Sequence, residues 1–353
     1  MIRYIPFLKA KRGELTAMGE LSPDVKKAIC PLFDFPRKKP DYNAEAYAAT
    51  TRSIATSLTK HWGAHAEFYF DDLDIGQKLI VKGDHQYAYM LKALKELKVI
   101  PVVALDRTNH NAAAAQLKRD GEIASTTVAF RAEQADFEDF EAKQDQVDYD
   151  LAAVFEEFES IDLILDCRVC SGLDVSLTAQ QIAVFAKKFC KSYDVRRVII
   201  TGSSIPASLG DLVKPDSAET VIRRELAIIS KTRDLADVDV VAGDYATVSP
   251  FYSDADFDPR LFPKVTAPRL IYSFKHSHYV ARGISLESGG YTQYVGLTKE
   301  LCGQNFFRGR GYSVGEDYFD DKRRRIGNNA TNGTVVTPSV VAHITYMVLD
   351  AKL

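Results

Sequence analysis

Eight short apolar runs recur along this chain, most of them followed by a longer segment of helical period, and that alternation restricts the fold more than any other feature. The runs are Ile5 to Leu8, Ala28 to Phe33, Glu67 to Phe70, Ile100 to Leu105, Thr126 to Phe130, Leu163 to Leu165, Val198 to Thr201 and Val238 to Ala242. They are rich in Val, Ile, Leu and Phe without strict alternation, as expected of strands buried on both faces. AEAYAATTRSIATSLTKHW, YAYMLKALKEL, LAAVFEEFES, AQQIAVFAKKFC and AETVIRRELAIISKT, which lie between them, read as helices. Eight such units in about 245 residues fit a (β/α)8 TIM-barrel-like α/β fold, which typically takes about 250. An open doubly wound sheet would carry a G-x-G-x-x-G turn after its first strand, and none is present.

The remaining residues divide the expectation in two: a barrel over 1–260 and a C-terminal extension over 261–353 packed on it. Leu270 to Phe274 reads as one more strand, either an extra one or the true closing one. With 353 residues, 46% of them hydrophobic and 26% charged, the chain has the composition of a soluble globular protein. No run of about 18 uncharged apolar residues is present, so no membrane span is expected. The five cysteines are odd in number and irregularly spaced, which suits reduced thiols and a cytoplasmic location. Cys167 and Cys170 form a lone C-x-x-C, short of the roughly four ligands that a structural zinc site needs.

In a barrel the residue after each strand lies on the C-terminal face, where active sites of this fold are built. Here those positions are densely charged. The first strand is followed by Lys9, Lys11, Arg12 and Glu14, the second by Asp34 and Arg37, the third by Asp71 and Asp72, and the fourth by Asp106 and Arg107. Arg131 follows the fifth, Asp166 and Arg168 the sixth, Gly202, Ser203 and Ser204 the seventh, and Asp244 and Tyr245 the eighth. An Asp after a strand is often a helix cap, but Asp34 precedes Phe35-Pro36 and Asp244 precedes an extended segment. Some of these carboxylates are therefore expected to face the mouth.

Converging carboxylates repel unless a cation or a basic partner compensates, and hard divalent cations choose oxygen ligands. One reading places Mg²⁺ or Mn²⁺ on Asp34 and Asp71, with Asp166, Asp244 and Tyr245 as catalytic groups and Lys9, Lys11, Arg107 and Arg131 holding a phosphate. Two carboxylates acting on a glycosidic bond, and salt bridges that merely close the mouth, are the alternatives. Ser203 and Ser204 sit in a small-residue turn open to an anion, and with no histidine placed to activate them a serine hydrolase is not expected. His276 and His278 alternate in KHSH as a surface pair or a pair of metal ligands. Net charge is −3, which gives no global attraction to polyanions. A local basic and aromatic patch around Arg308, Arg310 and Lys322 to Arg325 is the one hint of nucleic acid.

IPFLKAKRGEL, CPLFDFP, IPVVALDR, LILDC, TGSSIP, AGDYATVSP, YVARG, YTQYVGL and GYSVGEDY follow one another in this order. Together they resemble the family called beta protein, or T4 beta protein, found in phages and bacterial genomes. The resemblance places Lys9, Lys11, Glu14, Asp166, Ser203, Ser204, Asp244, Tyr245, Arg282, Gln293 and Tyr294 on motif positions, and so adds Glu14, Arg282 and Gln293 to the ligand-binding candidates. Where the family pattern leads one to expect paired histidines near the end, this chain keeps only His343. The resemblance implies a role in phage and host conflict and supplies no reaction. Three classes of function follow: a hydrolase of a phosphate-containing substrate (nucleotide or nucleic acid), a binding module for a nucleotide signal or a phage or host protein, and a scaffold.

Overall fold

The computed structural model describes residues 2–38, 40–64, 66–76, 78–252 and 259–351. Eight parallel strands close into a barrel: β1 (Tyr4–Lys9), β2 (Leu32–Asp34), β3 (Phe68–Asp71), β4 (Val99–Val103), β5 (Thr127–Glu133), β6 (Ser160–Val169), β7 (Val195–Ser203) and β8 (Val240–Asp244). β8 pairs with β1 through Tyr4 opposite Ala242 and Ile5 opposite Gly243, which completes the circle. All eight expected runs are barrel strands.

Strand alternation sorts side chains into two cores. Ile5, Phe7, Leu32, Tyr69, Val102, Ala129, Ile164 and Ile199 fill the barrel interior. Tyr4, Leu8, Phe33, Phe70, Phe130, Leu165, Ile200 and Ala242 face outward under the helices. The glycine of AGDY is fixed by packing, because a Cβ on Gly243 would come within 2.9 Å of both the Ile5 carbonyl and the Phe7 ring.

Leu270 to Phe274 is an extra strand, not the closing one. Arg269–Phe274 and Ser277–Arg282 form a hairpin, and Ser217–Ile222 pairs with its second arm to make a three-stranded antiparallel sheet outside the barrel. This corrects the expectation of one helix over AETVIRRELAIISKT, where the helix starts only at Arg224 and runs to Leu235. β-branched Thr220, Val221 and Ile222 favour the extended form, and pairing with Ser277–Arg282 supplies the backbone partners that a lone strand lacks.

The final apolar segment, Val336–Leu349, is a helix buried without a break from Pro338 to Val348. It packs on the helix Arg12–Glu20 and on β1, so it occupies the place of the helix that would follow β8. Among the described residues no helix is long and apolar enough to cross a membrane.

Candidate functional site

The upper layer of the barrel interior is ionic. Arg131, on β5, has the same inward facing as Ala129 and is about 1% exposed. Its guanidinium reaches three carboxylates: Asp34 at 2.7 Å, Asp71 at 2.8 Å and Asp166 at 2.7 Å. The Tyr245 hydroxyl donates to Asp166 at 2.5 Å and accepts from Arg131 at 2.7 Å. Arg107 takes the other oxygen of Asp71 at 2.7 Å. The expected ring of mouth carboxylates thus exists at Asp34, Asp71 and Asp166, and an arginine supplies the compensating charge.

The carboxylates respond differently to that charge. Burial, and then Asp71, push the Asp34 carboxyl up to about 6 against the pull of Arg131. At Asp71 burial is outweighed by Arg107 and Arg131, which hold its carboxyl below the usual range. Burial raises the Tyr245 phenol well above its ordinary value.

Fit to a divalent cation can be tested on donor atoms. One oxygen of Asp34 and both oxygens of Asp71 are held by guanidinium groups. Among the described residues Asp71, Asp72 and His110 form the one set of side chains close enough to share an ion. There Asp72 accepts from Gln86 at 2.9 Å, and the His110 Nε2–H donates to the Val102 carbonyl at 2.7 Å. That leaves His110 Nδ1 2.9 Å from Asp72, an ion-pair distance without the direction of a hydrogen bond. With Arg107 on Asp71, this set does not fit an added cation.

Asp244 points the other way. It shares the outward face of Ala242 and meets the final helix, accepting from Tyr4 at 2.5 Å, from His343 Nε2 at 2.9 Å and from Arg223. Burial would raise its carboxyl, but His343 and Arg223 hold it below the usual range. Burial pushes the His343 imidazole below its ordinary value, against the pull of Asp244. The Asp244 carboxylate can only accept, so His343 Nε2 carries a hydrogen, and Nδ1 lies 2.6 Å from the Ser273 hydroxyl. Ser273 is in turn hydrogen-bonded to His278 Nδ1 at 2.9 Å. Asp, His and Ser follow the order of a hydrolytic triad, yet all three are within about 1% of full burial. The chain of bonds joins the barrel to the outer sheet.

Several other candidates are spent internally. Ser203 accepts from the Ile205 amide and donates to Val248, and Ser204 donates to Glu225. Neither touches a histidine. Arg282 donates to the Val213 carbonyl, and Gln293 clamps the loop at Ile284 and Gly290. His278 is buried in the network just described, so the surface-pair reading does not apply to it. Arg308 lies within 5 Å of the Tyr272, Tyr312 and Tyr346 rings and pairs with Glu316 at 2.9 Å. Its charge faces inward, away from any polyanion.

A family model described as Beta protein matches residues 4–349, from the first barrel strand to the last helix. The chain belongs to the Beta protein family. No curated protein and no solved structure matches it.

In this Beta protein a cavity of about 820 Å³ opens at the mouth, between the turns after β1, β7 and β8 on one side and the C-terminal region on the other. Lys9, Lys11 and Glu14 reach it, with Arg12 beside them and Arg269 opposite. Lys9 is nearly buried at 5% exposure. Its ammonium donates to the Pro250 carbonyl at 3.1 Å and sits 3.3 Å from the centre of the Tyr252 ring. Burial lowers the Lys9 ammonium to about 8 and raises the Glu14 carboxyl to about 7. Among the described residues Lys9, Lys11, Arg12 and Arg269 have no carboxylate within ion-pair distance. Sequence reasoning missed Arg269 and Tyr252 as site residues. Tyr252 follows the AGDYATVSP motif by two residues, and that nearness was the only signal for it.

Proposed function

We propose that this protein binds a phosphate-bearing small molecule in the mouth cavity, with Lys9, Lys11, Arg12 and Arg269 taking the anion and Glu14 carrying a proton. The observation that supports this reading is the gathering around one cavity of four cations, none with a carboxylate within ion-pair distance among the described residues. Cations brought together this way raise the cost of the empty site and lower that of an anion-filled one. A cavity of this size suits a nucleotide or a sugar phosphate. The apolar wall of Ile205, Val248, Phe251 and Ile271 offers a surface for the uncharged part. The region 261–353 is then the wall that completes the site on the barrel 1–260.

For hydrolysis of such a ligand, Glu14 is the better proton carrier, since Asp34, Asp71 and Asp166 are engaged by arginine. The same engagement favours a second reading, a binding module without turnover. A nucleotide signal in phage and host conflict would be its natural ligand class.

Titration calorimetry with inorganic phosphate and with nucleoside monophosphates tests both readings. Binding that is lost on Lys11→Ala and Arg269→Ala supports the site, and product formation from a bound nucleotide separates enzyme from module. Equal affinity in wild type and both variants would sink the proposal.

A further inference from the structure

A lysine that only holds a phosphate gains nothing from being buried, since an exposed Lys or Arg does so at lower desolvation cost. Lys9 differs from its neighbours in this respect. It is the last residue of β1 and shares the inward face of Ile5 and Phe7, so its stem rises along the barrel interior and its amine ends at the floor of the cavity. Among the described residues no carboxylate lies within ion-pair distance of it, Asp74 and Asp34 acting on it only from farther off. Tyr252 and the Pro250 carbonyl hold it in place. Glu14, 5% exposed and also lining the cavity, has no side-chain partner among the described residues. A fixed amine with no ion-pair partner among the described residues, a neighbouring proton carrier and outer cations for a phosphate form a recognisable combination.

Resting on the phosphate-site reading above, we propose that Lys9 forms an imine with the carbonyl group of a phosphorylated aldehyde or ketone bound in this cavity. The neutral amine attacks the carbonyl carbon, forming the C–N bond, and the amine proton passes to the oxygen to give a carbinolamine. Glu14 delivers a proton to the departing hydroxyl, water leaves, and loss of the remaining N–H proton yields the neutral imine. The balance is one carbonyl compound and one amine giving one imine and one water, with nothing oxidised or reduced. Lys11, Arg12 and Arg269 hold the phosphate and so fix the carbonyl end over Lys9. Two properties of the site assist. Burial lowers the Lys9 ammonium to about 8, so a sizeable fraction is neutral near that pH. Burial also raises Glu14 to about 7, so it can give up and regain a proton in the same range.

The test uses the whole protein with glycolaldehyde phosphate as probe, cyanoborohydride to trap the imine, and peptide mass mapping. One adduct on Lys9 is expected. It should be suppressed by inorganic phosphate, weaker with unphosphorylated glycolaldehyde, fastest between about pH 7 and 8, where Glu14 still carries a proton and Lys9 has begun to lose one, and absent in Lys9→Arg. Adducts spread over surface lysines, or formed equally in Lys9→Arg, would overturn it, and mapping the wild type needs no variant to fold. Calorimetry with inorganic phosphate on the same sample separates the two readings. Phosphate binding without a Lys9 adduct ends the imine proposal alone, and absence of both ends the phosphate site with it.

Discussion

Two charged regions adjoin at the mouth of this barrel, where Lys9 stands opposite Asp34 in the sheet, and are built on opposite principles. In the inner layer Arg131 gathers Asp34, Asp71 and Asp166, and nearly every charge meets an opposite one. At the rim Lys9, Lys11, Arg12 and Arg269 face a cavity they share with Glu14, and none of the four has a carboxylate within ion-pair distance among the described residues. Paired buried charges hold a structure only while every member remains, whereas unpaired ones cost stability that a ligand can return. The inner layer therefore reads as structure and the rim as site.

The sharpest way to break that contrast is Arg131→Leu. It strands buried Asp34 and Asp166, leaves Asp71 with Arg107 alone, and is expected to cost about 3–5 kcal/mol, measured as a shift in the urea midpoint. A loss below about 1 kcal/mol would show that the inner layer does not depend on its arginine.

Lys9→Met should move stability the other way. The folded state depresses the Lys9 ammonium from 10.5 to about 8, so its charge is a penalty that is complete below pH 8 and fades as pH rises toward 10.5. Removing it should raise stability at pH 7 by up to about 3 kcal/mol and weaken phosphate binding. A destabilised Lys9→Met that binds phosphate as tightly as wild type would reverse the assignment of the two regions.

Glu14→Gln tests the same principle with an acid. Its folded value is raised from 4.5 to about 7, so ionisation opposes folding, with no penalty below pH 4.5 and the full one above pH 7. The variant should match wild type at pH 4 and exceed it at pH 8 by roughly 1–3 kcal/mol, read from denaturation curves at the two pH values. The smallest stability effect belongs to exposed Arg12. Arg12→Ala should change stability by under about 0.5 kcal/mol while weakening phosphate binding by about 1.5–3 kcal/mol, a split that calorimetry and unfolding resolve together.

How much of the site was legible depends on which interactions are local. The mouth carboxylates follow their strands directly, so their shared face could be read from the barrel period. Their partner could not be read, because Arg131 lies 97 positions from Asp34 and 35 from Asp166. Arg131 looks like a phosphate clamp until the three carboxylates are seen on it. Asp244 was misjudged for a related reason. Tyr4 and Ala242 pair across the closing seam and face outward, which turns Asp244 toward His343, and that register exists only once the barrel closes. The helix expected from Ala218 failed because Ser217–Ile222 pairs with a strand 60 residues later. Such a partner outweighs local propensity.

The sequence by itself determined the barrel and the face on which its charges gather, because strand and helix periods are local and repeat eight times. It also determined the family, through motifs that run from the first strand to the last helix. Only the tertiary structure decided which charges neutralise one another, that the last helix closes the ring, and that Arg269 and Tyr252 join Lys9 and Glu14 around one cavity. Electrostatic energy depends on distance through space and on the water left between charges, and neither quantity is written in the order of the residues.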